Sequence, residues 1–470
     1  MSTGRVAAAQ RSALGSALGS ALRSGPLAVR SFRLLAGGQF TSTIGDYCYA
    51  VALPWLVLSS HGGAILLGTV LACYGVPRTV LIPVGGVLAD KVGSRTVMLA
   101  ADAMRCVLVA ALAVLAARHT VSLAALGPLA AFIGAGEGVF IPASFAIMPS
   151  LLDEERLTAG NAISTAAVQA GSLLGPALGG ALVAATGAST WAFGIDAASF
   201  AVSALTLALI PRKPASGSVA AVAAEIGGTT GAHADETSAD GTNAGGTDTR
   251  AAATGGGVLV LLKRSRVLQV ILVVVIAANL AGGGMSDVAL PSLAHVRFGA
   301  AGYGALLVCF AIGGVIGTLA AARTGGLRAP VIFASVVFLV ESVAIAFTPY
   351  LGGEAGAAAM LFVSGAANGL GNVTVLTVLQ KWTPPALLGR VMSALMLCAF
   401  GTFPLSVAIS GVLVRHIGPS LFFPVAAGLL AVAILWGLTQ QEFREFGART
   451  EEEADGVVTP AARREERAVG

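Results

Sequence analysis

Apolar residues fall along this chain in runs of about twenty, broken by short polar or Gly- and Pro-containing turns, the length at which a helix crosses ~30 Å of hydrocarbon. A window of about 19 residues predicts helical spans over 34–59, 65–89, 96–116, 122–147, 161–185 and 190–210, then 267–292, 301–322, 330–348, 356–379, 391–414 and 418–438. These twelve spans stand six on each side of a segment, 211–266, whose stretch from Pro214 to Gly257 is rich in Gly, Ala, Thr and Ser and has no Phe, Trp or Tyr. Such a composition buries too little apolar surface to fold alone and reads as a flexible linker. Residues 1–33 read as a disordered tail and 439–470 as a charged one. The expected class is an all-α membrane protein of two six-helix halves, 34–210 and 267–438.

Charge sets the orientation. Of the 28 Lys and Arg, only Arg118, Arg297 and Arg415 lie in the loops on one side, and Arg78 and Arg105 lie inside spans. All the others fall in the two tails, the linker and the loops on their side, so the positive-inside rule places both termini in the cytoplasm. The four tryptophans (Trp55, Trp191, Trp382, Trp436) sit at predicted span ends, where indole prefers the headgroup level. With 56% hydrophobic and 11% charged residues, against roughly 25% charged in soluble domains, a soluble globular fold is excluded. The net charge of +4 is then an orientation signal, not a nucleic-acid surface. Each of the five cysteines stands alone in an apolar run, without disulfide or zinc spacing. The N-terminal stretch lacks an apolar core with a cleavage site, which favours a tail over a targeting peptide.

Two short patterns recur between the halves. Gly86-Val-Leu-Ala after span 2 returns as Gly317-Thr-Leu-Ala after span 8, an offset of 231, and Gly160-Asn-Ala-Ile-Ser returns as Gly389-Arg-Val-Met-Ser, an offset of 229. Nearly equal offsets at equivalent loops argue for parallel six-helix repeats with a site between them near the bilayer midplane.

The loop after span 2 reads Gly86-Val-Leu-Ala-Asp90-Lys91-Val-Gly93-Ser94-Arg95. Gly86 is expected to let helices 2 and 11 approach closely, Asp90 to sit at a helix N-terminus where negative charge is favoured, and Arg95 to pair with a carboxylate on a neighbouring helix. Together they would form a cytoplasmic latch; the plainer alternative is a positive-inside turn with no gating role. Span 5 carries Gly171-Ser-Leu-Leu-Gly175-Pro176-Ala-Leu-Gly179-Gly180. Its glycines line one face at four-residue spacing, and Pro176 removes a backbone donor and bends the helix.

These two motifs resemble those of the major facilitator superfamily, and the resemblance covers essentially the whole chain. The loop is similar to the superfamily's G-x-L-A-D-[RK]-x-G-[RK]-[RK] signature, departing from it at Ser94. The span-5 pattern is similar to the G-x-x-x-G-P-x-x-G-G motif associated within the superfamily with antiporters. Gly45-Asp46, Pro77-Arg78, Ala101-Asp102-Ala-Met-Arg105 and Pro384-Pro-Ala-Leu-Leu-Gly-Arg390-Val-Met-Ser resemble the subgroup of bacterial drug, macrolide and siderophore exporters. The resemblance implies a monomer in the bacterial inner membrane that exports a mid-sized hydrophobic molecule by proton antiport with alternating access. The alternative on the same fold is an importer or facilitator of a small nutrient. Few polar residues line the expected cavity helices, whereas sugar sites need many hydrogen-bonding groups.

Ionisable groups at membrane depth are costly and so become functional candidates. Asp46 lies roughly 18 Å from the cytoplasmic start of span 1 and Arg78 roughly 17 Å from the cytoplasmic end of span 2, at 1.5 Å per residue. This common depth predicts a midplane ion pair, either opened by protonation of Asp46 during transport or purely structural. Glu137 in span 4 and Glu341 in span 9 have no evident partner in their own helices, which suits proton carriers. Span 4 lacks the buried Arg that many antiporters of the superfamily carry there. Asp102 and Arg105 share a helix face and suggest a local network with Arg95 or, alternatively, a substrate contact. Asp196 and Asp287 lie toward outer helix ends, where solvation or a gating role is expected. Asn368 and Asn372 share a face of span 10 and would orient a substrate or hold helices together.

No phosphate loop precedes any of the four lysines, which excludes direct ATP coupling within the chain, and no nucleophile elbow or H-E-x-x-H is present. The five histidines all fall in predicted loops. No enzyme activity, cofactor, metal ion or nucleic-acid partner is expected; the expected partners are a small-molecule substrate, protons and the lipid bilayer.

Overall fold

The computed structural model describes residues 25–60, 62–118, 121–211, 266–324, 329–383 and 385–445. Twelve long helices carry these residues: α1 (Arg30–Ser59), α2 (Gly63–Val92), α3 (Ser94–Ala117), α4 (Leu123–Leu151), α5 (Glu154–Thr186), α6 (Thr190–Leu209), α7 (Arg266–Arg297), α8 (Gly299–Ala321), α9 (Pro330–Phe347), α10 (Gly353–Trp382), α11 (Pro385–Ile417) and α12 (Pro419–Thr439), followed by a short α13 (Gln441–Arg444). Eleven of the twelve are long and apolar enough to cross a membrane by composition. The exception is α1, where Asp46 and neighbouring hydroxyl groups dilute the hydropathy. At most 44% of each helix's most apolar stretch is buried within the protein. The rest, such as Val107 (68% exposed) and Phe145 (77%), is an apolar exterior that suits lipid rather than water.

The helices outrun the predicted spans at several ends. α5 begins at Glu154, seven residues before its predicted start, because Glu154 and Glu155 favour a helix N-terminus and need not enter hydrocarbon. α1 starts at Arg30, within the stretch read as tail. The C-terminal tail also begins with structure, since Phe443 of α13 packs with Leu268 and Val270 of α7. The linker between 212 and 265, residues 1–24 and residues 446–470 lie outside the described residues, as do Pro384 and the side chains from 385 to 390 and of Ser393 in the motif after span 10.

Within each half the same pairings recur. α2 packs on α4 and α8 on α10; α1 packs on α5 and α6; α3 on α4 and α6; α9 on α10 and α12. Glycine makes the first two pairings possible. A Cβ on Gly134 would meet the Tyr74 backbone and one on Gly138 the Arg78 backbone, while Gly365 and Gly369 stand in the same relation to Phe310 and Gly314. The halves meet through α2 with α11 and α5 with α8. Gly68 lies against Val407 and Gly411, Gly75 against Phe403 and Pro404, and Gly180 against Ala300 and Gly304. Thr79 Oγ1 donates to the Phe400 carbonyl at 3.0 Å, and the Trp55 and His295 rings stack edge-on at 4.7 Å. Each of these contacts lies between mid-helix and the face opposite the described chain ends, called here the far face. His295, expected in a loop, is thus helical and bridges the halves; His416 also lies in a helix, and the other three histidines are outside the described residues.

Candidate functional site

In the N-terminal half, Arg105 joins four helices. Its Nη2 donates to Asp102 Oδ1 at 2.5 Å one turn away on α3, and Nη1 lies 3.9 Å from Asp46 Oδ1 on α1. Its guanidinium sits between the rings of Phe140 (α4) and Phe200 (α6), with centroids 4.6 and 4.3 Å away. The other Asp102 oxygen accepts from Ser203 Oγ of α6 at 2.6 Å. Asp102 and Arg105 are buried at 0% and 3% exposure. The charge is therefore neutralised, hydrogen-bonded and stacked at once, the conditions under which a buried ion is tolerated. Asp102→Ala is expected to destabilise the fold by about 3 kcal/mol by stranding the arginine, read as a lower thermal unfolding midpoint in detergent. Asp102→Asn, which keeps an acceptor for Ser203, should cost less.

A second cluster faces the space between the halves. Arg78 Nη2 pairs with Glu137 Oε1 at 2.9 Å, and the two side chains are 19% and 24% exposed. The guanidinium lies 5.0 Å from the centre of the Phe400 ring, across the inter-half boundary, and 5.8 Å from that of Tyr74. It also lies in the fields of Asp287 and Asp46. Asp287 stands in a π-helical turn, Met285–Ala289, inside α7, a local widening of the helix that is frequent at functional sites. The expected Asp46–Arg78 pair is thus replaced by two others, Arg78 with Glu137 and Arg105 with Asp46. Equal depth does not fix direction: Gly45 seats α1 on Ser199 and Asp196 of α6, which aims Asp46 toward α3. The Asp46 side chain remains 49% exposed. Asp196, expected to be solvated, is only 1% exposed in that contact.

The loop motif is built differently from the expectation. Gly93, at φ +87°, joins α2 to α3 in a conformation that favours glycine. Among the described residues the nearest neighbour of a Cβ on Gly86 is Pro142 of α4, and the close approach of α2 to α11 is made by Gly68 and Gly75. Asp90 lies exposed in the last turn of α2, not at a helix N-terminus. Among the described residues Arg95 pairs with no carboxylate; its Nε and Nη2 donate to the carbonyls of Leu207 and Ala208 at 2.8 Å, capping the negative end of α6. Nor does Arg95 join the Asp102–Arg105 network. In α5, Gly171, Gly175 and Gly179 press on Thr43, Tyr47 and Cys48 of α1, and Gly180 turns to α8 of the other half. Pro176 sits inside one continuous helix, and its carbonyl faces Gly304.

In the C-terminal half, Asn372 Nδ2 donates to Asn368 Oδ1 and Asn368 Nδ2 to Glu341 Oε1, both at 2.9 Å. Glu341, 6% exposed, therefore has the partner on α10 that its own helix lacks. These three residues and Asn279 line a cavity of about 230 Å³ among α7, α9, α10 and α12.

The Arg78–Glu137 pairing has a signal in the sequence. Gly134-Ala-Gly-Glu137-Gly138 and Gly365-Ala-Ala-Asn368-Gly369 stand 231 residues apart, the offset already given by Gly86 and Gly317. The polar residue between two packing glycines is Glu137 in one half and Asn368 in the other, each bonded to a neighbouring helix. Phe310, Phe338 and Phe443 of the cavity carried no such signal.

A model of the Major Facilitator Superfamily matches residues 35–400. The chain is 26% identical over 422 residues to "Uncharacterized MFS-type transporter YfiS" of Bacillus subtilis, covering 87% of this chain and 93% of that one. It is 29% identical over 196 residues to the multidrug efflux pump Tap of Mycolicibacterium fortuitum, covering 40% and 46%. It is likewise 29% identical over 184 residues to the enterobactin exporter EntS of Salmonella typhimurium, covering 39% and 44%. Among solved structures, a POT family transporter in complex with a thioalcohol-conjugated peptide aligns at a TM-score of 0.64 and 15% identity, covering 87% of this chain and 96% of that one. A D-xylose–proton symporter aligns at 0.62 and 13%, covering 87% and 95%. At these identities the structural likeness concerns the fold alone.

Proposed function

This chain belongs to the major facilitator superfamily and is a membrane transporter, and from that premise we propose that it exports a mid-sized, largely hydrophobic organic molecule in exchange for protons. The observation that carries this reading is the Arg78–Glu137 pair at the boundary between the halves, with the charges of Asp46 and Asp287 acting on the same arginine. Several carboxylates around one arginine in the membrane form a device in which adding a proton to one acid frees the cation for another. With both termini in the cytoplasm of a bacterial cell, the contacts at the far face close the extracellular side. The geometry is then that of an inward-facing transporter with its acid paired and its Asp46 carboxylate half-exposed, ready to take substrate from the cytoplasm. The partial matches to a drug pump and a siderophore exporter, with the glycine pattern of α5, support export over nutrient uptake.

The test is accumulation of lipophilic dyes and macrolide-like antibiotics in inside-out vesicles. Uptake that needs the proton gradient, collapses with an uncoupler and falls in Asp46→Asn is expected. Gradient-independent equilibration, or uptake only in right-side-out vesicles, would overturn the reading in favour of a facilitator or importer.

A further inference from the structure

The cavity around Glu341 is built entirely by the C-terminal half, from Ile271 to Phe443, and is distinct from the Arg78–Glu137 cluster between the halves. Glu341 is the single charged residue among its lining groups. Its hydrogen-bond environment is one-sided: Asn372 donates to Asn368, and Asn368 donates to the carboxylate. A chain of amides aimed this way stabilises an ionised acid. Among the described residues no arginine, lysine or histidine pairs with Glu341, so the carboxyl has no counter-ion. Phe310, Phe338 and Phe443 also line it, Phe338 one turn from Glu341 on α9. Room for Phe338 comes from Gly371, where a Cβ would lie 2.6 Å from the ring.

A buried acid without a counter-ion, in a cavity lined by aromatic rings, is the complement of an organic cation, since the acid supplies the charge when it ionises against the ligand and the rings supply cation–π contact. The volume sets the size. An apolar cavity of about 150 Å³ holds one benzene, so about 230 Å³ admits one ring and a small ammonium group. We propose that this cavity is a binding site for a lipophilic monovalent amine, or for the aryl-amine portion of a larger substrate, with Glu341 as its counter-ion and the Asn368–Asn372 pair as positioning residues. The proposal deepens the export reading by assigning a substrate class to a site off the central axis.

The test uses the purified full chain in lipid nanodiscs without any gradient, with radiolabelled benzyltrimethylammonium as the cationic probe and neopentylbenzene as its uncharged isostere. The wild type should bind the cation, and Glu341→Gln should weaken that binding at least tenfold. Binding of the isostere should be the same in both, which shows that the variant cavity is intact. Phe338→Ala should weaken both probes, whereas Glu137→Gln should leave cation binding as in the wild type. Equal cation affinity in Glu341→Gln, loss in Glu137→Gln instead, or no binding to the wild type would each overturn the site. Failure of the vesicle assay with cation binding intact would remove the export reading and leave this site standing. Gradient-driven dye uptake without cation binding would do the reverse.

Discussion

Glu137→Gln is expected to cut gradient-driven accumulation more than tenfold while leaving substrate–substrate exchange measurable. The substitution removes the 2.9 Å partner of Arg78, whose Nε already has no hydrogen-bond partner among the described residues. Breaking a fully buried ion pair from one side costs about 3–5 kcal/mol, because the surviving charge is left uncompensated; at 19% and 24% exposure water offsets part of that cost here. Arg78 has alternatives within its field, Asp287 and Asp46, and should move to one of them. The arginine would then be held permanently by an acid that no longer competes with Glu137. Arg78→Gln together with Glu137→Gln should be less destabilised than the sum of the single variants, with a coupling of about 1–3 kcal/mol in a double-mutant cycle followed by thermal unfolding. Normal accumulation by Glu137→Gln would remove this pair from the coupling mechanism. Loss of exchange as well as accumulation would make Glu137 a requirement for the conformational change itself.

The crossings were legible in the sequence because a span is a one-dimensional property, about twenty apolar residues in a row. Even α1, whose hydropathy is diluted by Asp46, is found by the same window. Depth is read in the same one-dimensional way, and it is the ground for pairing Asp46 with Arg78. Azimuth was not legible. Which way a side chain points around its helix depends on what the helix leans on, and in α1 that is decided by Gly45 against Ser199 and by Gly175 and Gly179 against Tyr47 and Cys48. These contacts turn Asp46 toward Arg105 and leave Arg78 to Glu137. Arg95 was misassigned for a related reason: a carboxylate partner is visible as a residue type, whereas the open carbonyls at the end of α6 are visible only once the helix has an end. The cavity around Glu341 is less legible still, since its aromatic walls come from three helices and its room for Phe338 comes from one missing side chain at Gly371.

Gly180→Val is expected to open the far face and to reduce transport at least tenfold. A Cβ at Gly180 would lie 2.8 Å from the Ala300 carbonyl oxygen and 3.1 Å from the Gly304 Cα. Both are backbone atoms of α8 and cannot swing aside, so the halves must part. The repeat relates this contact to a second one, in which a Cβ on Gly411 would lie 2.7 Å from the Ala64 carbonyl oxygen and 3.2 Å from the Gly68 Cα. Overpacking of this kind costs about 1–3 kcal/mol, enough to shift an equilibrium between two conformations by about 5- to 150-fold. The shift is read by labelling Ala300→Cys, in a background with the five native cysteines replaced, with a membrane-impermeant maleimide applied from the far face. Ala300 is 4% exposed, so labelling should be slow alone and at least tenfold faster with Gly180→Val or Gly411→Val. Gly428→Val, where a Cβ meets open space, should change neither labelling nor transport. Two substitutions on different helices and in different halves share no local structure, so a common gain in far-face labelling reports the rigid-body opening of one half from the other. Unchanged labelling with transport intact would mean that these glycines only save space and that the far face opens elsewhere.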